Sequence, residues 1–208
     1  MPEKTVQKEP GKKPAPSKKP KPQQEVVVQI PLSELHPFPD HPFQVREDAS
    51  MQETAESVKE YGVLVPALAR PREDGGYELI AGHRRKHACE LAGLATMPVI
   101  VRDIDRDAAT IIMVDSNLQR ENILPSERAK AYKMKMEAIK RQGARTDLTS
   151  PKISAKFRSD DEVGQDAGVS GDTIRNYIAL TQLVPELQQM VDEKKIALSP
   201  AYQIAALT

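Results

Sequence analysis

The sequence predicts an α+β protein in two parts, a mixed α/β domain over residues 25–122 and an all-helical domain over 123–208. Three observations carry this. As far as about residue 120, short apolar runs alternate with segments whose apolar residues recur at helical spacing. Asp74-Gly75-Gly76 between two such runs is a hairpin turn signal. From Pro125 onward the strand signals vanish and only helical periodicity remains.

Composition narrows the field. The 30 basic and 30 acidic residues cancel, so any surface that attracts nucleic acid must come from local segregation of charge. No apolar run reaches the ~18 residues of a membrane span, and the N-terminus lacks the apolar stretch of a signal peptide. A single cysteine, Cys89, excludes an internal disulfide, and metal-ligand spacings are absent. The expected location is cytoplasmic, with no membrane partner.

The elements follow in order. Residues 1–24 carry seven lysines against two glutamates among many prolines, too little apolar surface to offset chain entropy, and are expected to be disordered. Val26–Ile30 reads as a strand and residues 36–44 as a proline-broken loop. Met51, Ala55, Val58 and Tyr61 define a helix that Gly62 stops. Val63–Arg70 is strand-like, with Pro66 arguing for an edge strand or a late start, and Tyr77–Ala81 returns beside it. A helix over 83–92 ends at Gly93, a strand covers Met97–Val101, and a helix covers 105–117 with Ile111, Ile112 and Val114 as its apolar residues. Pro125-Ser126-Glu127 opens a helix to Gln142 with Gly143 as its stop, followed by a basic connector over 144–158. Two short helices come next, then a helical region from Pro185 (Leu187, Met190, Val191) that breaks at Ser199-Pro200. The last apolar stretch looks like a helix cut short, as though the natural protein continued.

Two segments carry chemistry. At Gly82-His83-Arg84-Arg85 a strand hands over to a helix through a glycine, exposing backbone N–H groups suited to phosphate, and two arginine forks stand beside them. Some thirty residues on, Ser116-Asn117-Leu118-Gln119-Arg120-Glu121 adds an amide, another cation and a carboxylate. Each alone is weak, since Asn117 could cap a helix end and Arg120 could pair with Glu121 on the surface. The other segment is Asp160–Tyr177, which fits a helix-turn-helix. Val163 is its first core position, Gly164 the close crossing, Gly168 the left-handed turn, Val169 a residue tucked into that turn, and Ser170 the cap of the second helix. Ile174 and Tyr177 face inward; Gly171, Asp172, Thr173, Arg175 and Asn176 face outward. Arg175 suits guanine and Asn176 adenine, Thr173 and Ser170 can hold phosphate, and Asp172 opposes the backbone unless it meets a cytosine amine. The connector 144–158 could add phosphate contacts.

From residue 26 onward the chain resembles ParB- and Noc-type partition proteins, which have a ParB/sulfiredoxin-like mixed α/β domain followed by a helix-turn-helix domain. Gly82–Arg85 is similar to that family's Gly-Glu-Arg-Arg box, Ser116–Arg120 to its Glu-Asn-x-x-Arg box, and Gln44-Val45-Arg46 to its Gln-x-Arg. The resemblance implies a dimeric clamp that binds CTP with Mg2+, the metal held with the nucleotide near Asn117 or Glu121. It implies a palindromic centromere-like DNA site, slow CTP hydrolysis, a ParA-type ATPase as partner, and association with a nucleoid or plasmid. The run over 181–200 looks closer to plasmid and integrative-element members.

Two departures matter. His83 replaces the acid of the first box, and Ser116 the glutamate of the second. A serine cannot act as a carboxylate, so the expectation is CTP binding with weak hydrolysis, or hydrolysis rerouted through Asp115 as the catalytic acid. Arg85→Ala should abolish nucleotide binding and spare DNA recognition. Two other readings stay open. One is a nucleotide-independent transcriptional repressor on a vestigial fold. The other is an ATP-using enzyme resembling sulfiredoxin or serine kinases, although His83 stands where sulfiredoxin needs cysteine and Cys89 reads as a small buried hydrophobe.

Overall fold

The computed structural model describes residues 26–120, 122–146 and 159–207. The expected tail, Glu121 and most of the 144–158 connector therefore lie outside the described residues.

The first domain is built on a five-stranded mixed sheet. Its elements are β1 (Val27–Pro31), β2 (Leu35–Pro37), α1 (Ala49–Tyr61), β3 (Ala67–Pro71), β4 (Tyr77–Ala81), α2 (His83–Leu91), β5 (Thr96–Val101) and α3 (Arg106–Leu118). The strand order is β1-β5-β3-β4-β2. β1 runs antiparallel to β5 and β3 antiparallel to β4, whereas β3–β5 and β2–β4 are parallel. The hairpin expected at Asp74–Gly76 forms, both of its glycines taking positive φ. Pro66 does delay β3, which begins at Ala67. β2 was not expected; its His36-Pro37 lies in the stretch read as loop, where prolines hide a three-residue parallel edge strand.

One face of the sheet packs on α1 and α2 through Met51, Val58, Leu79, Ala88, Cys89, Met97 and Val99. The other packs on α3 through Ile80, Ala109, Met113 and Val114, with Phe38 and Phe43 from the proline loop. α1 begins where Asp48 accepts a hydrogen bond from the Met51 N–H and ends at Gly62 in positive φ. Tyr61, read as part of its apolar stripe, is instead exposed, since the stripe outruns the sheet at the last turn.

The helical domain comprises α4 (Pro125–Thr146), α5 (Ser159–Ala167), α6 (Gly171–Ala179), α7 (Pro185–Asp192) and α8 (Leu198–Ala205). Two expectations are corrected. α4 runs through Gly143 to Thr146, because a helix tolerates a glycine at a cost of about 1 kcal/mol. Ser199-Pro200 is no break: α8 starts at Leu198, and a proline fits the first turn, where no intrahelical N–H bond is lost. α4 straddles both domains. Ala131 lies in the core under the sheet, Ala129 in the core with α7 and α8, and Tyr132 in the core with Val163 and Ile174 of the helix-turn-helix.

α4 also carries Lys135, whose side chain is only 1% exposed. Its Nζ donates to Asp115 of α3 at 2.7 Å and to Asp166 of α5 at 2.8 Å. Burial by itself would lower the ammonium pKa, but the two carboxylates outweigh it and the group is held above its ordinary value. One buried charge thus joins three helices. Ser126 and Asp192 make a second tie between α4 and α7, through the Ser126 backbone N–H and hydroxyl.

Candidate nucleotide cleft and nucleic-acid interface

β4 delivers Gly82 at φ 111°, and that glycine caps α2 without a side chain. A Cβ there would sit 2.8 Å from Ala67 Cβ, so only glycine lets β3 and the start of α2 approach so closely. The backbone N–H groups of the first turn of α2 have no intrahelical partner.

Beside this turn opens a cleft of about 440 Å3, lined by Phe43, Gln44, Arg46, Arg84, Arg120, Glu127 and neighbouring residues. Four residues singled out from three separate sequence segments (Gln44, Arg46, Arg84, Arg120) meet there. Arg84 lies 3.6 Å from Asp48 and 3.3 Å from the Ser50 hydroxyl. The Arg120 side chain has no hydrogen bond or ion pair among the described residues. Burial lowers its pKa first, repulsion from Arg84 lowers it further, and Glu127 opposes both. Three arginines (Arg46, Arg84, Arg120) face two carboxylates (Asp48, Glu127) in this cleft, a net positive balance that suits an anion.

His83 is half-buried and its ring packs against His41 at 3.9 Å between centroids, tilted by 48°. Burial, then His41, Arg120 and Lys86, push its pKa down to about 3. Burial also lowers His41, against a hydrogen bond with the Phe43 carbonyl that favours its protonated form. Both Nε2 atoms are buried and without a hydrogen-bond partner among the described residues. The neutral His41 donates its Nδ1–H to the Phe43 carbonyl and keeps an acceptor Nε2, whereas the neutral His83 can present an Nε2–H to a ligand.

Asn117 is 97% buried, as its 3% exposure implies. Its Nδ2 donates to the Met113 carbonyl, while Oδ1 has no partner among the described residues. Ser116 donates its hydroxyl to the same carbonyl. Glu121 lies outside the described residues.

Two expected roles change. Arg85 turns from the cleft and donates to the Val65 and Pro66 carbonyls at 2.5 and 2.6 Å, fixing the entry to β3. Asp115, expected to replace the missing glutamate, does not line this cleft; it is tied to Lys135 and borders a different cavity with Arg128, Tyr132 and Asp166. Two residues apart on a helix face nearly opposite ways, so Asp115 and Asn117 cannot share a site. Besides Asp48, the cleft holds the carboxylate of Glu127, missed because a Pro-Ser-Glu helix start explains an acid there without any ligand. It accepts from the Gln44 and Leu124 N–H groups and lies 3.9 Å from Arg46.

The helix-turn-helix forms as α5 and α6. A Cβ on Gly164 would come within 2.6 Å of the Val169 carbonyl, Gly168 takes φ 68°, and the Ser170 hydroxyl accepts from the Thr173 N–H. Val163 and Ile174 are fully buried. Two readings are corrected. Gly171 is buried, its Cβ position blocked by Asp161, so it is a packing residue rather than an outward one. Val169 is 37% exposed and does not tuck into the turn, because the close crossing at Gly164 leaves no room. Thr173 shares a hydrogen bond with the Ser170 hydroxyl, while Asp172, Arg175 and Asn176 are exposed. Arg175 is engaged by Asp160 and Asp172.

No helix among the described residues is long and apolar enough to cross a membrane. Cys89 is fully buried, and burial raises its thiol pKa, so it has neither the access nor the thiolate that sulfur chemistry needs.

Residues 16–118 match the ParB N-terminal domain family. The chromosome-partitioning protein Spo0J of Thermus thermophilus is 35% identical over 182 residues, 87% of this chain and 60% of that protein. A probable chromosome-partitioning protein ParB of Treponema pallidum is 36% identical over 159 residues, covering 76% of this chain and 44% of that one. The chain spans about half the length of the curated relatives it matches. Among solved structures, C-terminally truncated ParB from Caulobacter crescentus complexed to the centromeric parS site superposes with a TM-score of 0.56 at 28% identity, covering 86% of this chain and 84% of that one. A pNOB8-like ParB N-domain shares the fold at a TM-score of 0.59 and 18% identity, covering 88% of this chain and 80% of that one. The cleft, the helix-turn-helix and these likenesses agree, and the chain belongs to the ParB-type partition proteins.

Proposed function

We propose that this chain is a CTP-switched, sequence-specific DNA-binding clamp that acts in DNA partition on a palindromic, centromere-like site. The observation that carries the nucleotide half is the Arg120 guanidinium, without a hydrogen bond or ion pair among the described residues, beside Arg84 in one cleft next to the glycine-led start of α2. Triphosphate would engage the N–H groups of that turn, the two arginines and the His83 Nε2–H. The DNA half rests on α6, a capped second helix with Arg175 and Asn176 exposed, and on a relative solved in complex with the centromeric parS site.

Mg2+ suits the residues present. It takes oxygen donors, and Asn117 offers a buried carbonyl oxygen with no other partner among the described residues, beside the Ser116 hydroxyl. When bound with nucleotide, the ion would neutralise phosphate charge. Arg84 and Arg120 would hold phosphate oxygens, and Glu127 fixes the Gln44–Arg46 loop through the Gln44 N–H. With serine at position 116, turnover is expected to be weak.

α3 and α4 would transmit the bound state, since α3 ends at Asn117-Leu118 and packs along α4, which holds the helix-turn-helix. The two ligands then couple through closure against a second copy. A ParA-type ATPase is the proposed partner.

Calorimetric titration with CTP and with ATP, in magnesium, tests this on the wild type and Arg120→Ala. CTP-selective binding lost in Arg120→Ala, with duplex DNA binding retained, is the expected result. Binding of neither nucleotide would leave the transcriptional-repressor reading standing, and ATP preference would favour an enzyme.

A further inference from the structure

The charge on the DNA-reading helices runs against their task. α5 and α6 carry Asp160, Asp161, Glu162, Asp166 and Asp172, with Arg175 as their one cation. Asp161 lies against the backbone of Gly171, at the helix N-terminus where a DNA phosphate would otherwise rest. Among the described residues, α5 and α6 do not present a basic recognition surface.

Arg175 shows what replaces it. Its Nη1 donates to Asp160 of α5 and its Nη2 to Asp172, one turn earlier on α6. Both ends of the fork are anchored, yet the side chain keeps 44% of its surface exposed. Asp160 is 11% exposed in its side chain and fixed by the fold, whereas Asp172 is 79% exposed. A guanidinium has five N–H donors, so two such contacts leave the others for a ligand. The hydrogen bonds to Asp160, and the nearby Asp172 charge, hold Arg175 firmly in its charged form.

We propose that Asp160 and Asp172 form a specificity pair that holds Arg175 in a single orientation to read a guanine edge in the major groove. The proposal rests on the DNA reading given above. A free arginine attracts any phosphate and adds about 0.9 to the salt dependence of binding. An arginine whose charge is already met gains little from a phosphate, and random sequence becomes a poor ligand. Guanine differs, because O6 and N7 together accept two N–H groups in a fixed geometry. An oriented fork meets that geometry without first losing side-chain freedom. The acids therefore lower affinity for all DNA and lower it least for the right base.

The experiment is selection from a randomised duplex library with the full chain, followed by affinity for a random-sequence duplex at several salt concentrations. Wild type, Asp172→Asn, Asp160→Asn, Arg175→Ala and Arg175→Lys are compared, each first checked for a native circular dichroism spectrum. Asp172 is exposed and offers a variant that keeps its fold even if Asp160→Asn does not. Wild type should select a motif with guanine at one position of each half-site. Arg175→Ala and Arg175→Lys should both lose that guanine, about tenfold in preference, and leave the other positions unchanged. Asp172→Asn should bind random duplex more tightly, with a salt slope steeper by about one, while its guanine preference falls several-fold. An Asp172→Asn variant with wild-type guanine preference and wild-type salt slope overturns the proposal. If wild type itself binds no duplex and selects no motif, the DNA reading fails, and the proposal with it.

Discussion

Lys135 offers the sharpest test of the architecture, because its charge is buried while those of its partners are not. Its side chain is 1% exposed, against 44% for Asp115 and 56% for Asp166. Replacing either aspartate by asparagine leaves the ammonium one carboxylate and one neutral acceptor. Each carboxylate is largely screened by water, so each single variant should cost about 1 kcal/mol. The double variant strands a buried ammonium with no counter-charge, for which about 3–4 kcal/mol is expected. The excess over additivity is thus about 1–2 kcal/mol. Lys135→Met inverts the problem: it removes the buried charge, keeps an apolar stem, and leaves two carboxylates that water can reach. It should therefore cost no more than about 1 kcal/mol, less than the double variant. Urea unfolding followed by circular dichroism, with the slope of free energy on denaturant held constant across the set, measures all four. Additivity of the two aspartate variants within about 0.5 kcal/mol would refute the reasoning, as would Lys135→Met proving the worst of the set.

Gly82→Ala should destabilise by about 2–3 kcal/mol, read as a lowered Tm, since it combines positive φ with a 2.8 Å approach to Ala67 Cβ. His83, whose pKa falls to about 3 in the fold, makes stability depend on pH in a definite direction. The unfolded chain takes up a proton below about 6.5 and the folded one does not, so His83's contribution is intact above that value and lost toward pH 3, at about 1.4 kcal/mol per unit. His83→Gln should flatten that slope in denaturant melts between pH 4 and 6.5; an unchanged slope would exclude His83 as its source. Ser170→Ala should cost about 1 kcal/mol by uncapping α6, again seen in the melt. Arg85→Ala should weaken CTP binding less than Arg120→Ala in calorimetry, because its guanidinium is already committed to the Val65 and Pro66 carbonyls.

Periodicity and punctuation made most of the fold legible. Gly62, Gly93 and Asp74–Gly76 ended elements where expected, since each conformation there requires glycine or a turn former. Elements held by tertiary pairing were harder to read: β2 is only Leu35-His36-Pro37, and its pairing with β4 makes it a strand. For the site, residue type predicted which side chains carry charge, and the sheet brought Gln44, Arg46, Arg84 and Arg120 to one cleft. Direction was invisible in sequence. Arg84 and Arg85 are adjacent and chemically identical, yet one faces the cleft and the other clasps backbone carbonyls. Asp115 and Asn117 part company for the same helical reason. Gly171 seemed an outward position until Asp161 closed over it.

The threefold packing of α4 bears on how members of such a family can be recombined. A chimera that takes α5 and α6 from a relative has no clean seam at residue 122. Ala131 belongs with the sheet, Tyr132 and Lys135 with the grafted helices, and Ala129 with α7 and α8. A graft that imports α4 whole mismatches the sheet, and one that keeps it whole mismatches the new head. Workable hybrids must divide α4 lengthwise, with the two parents alternating around its circumference rather than along its length.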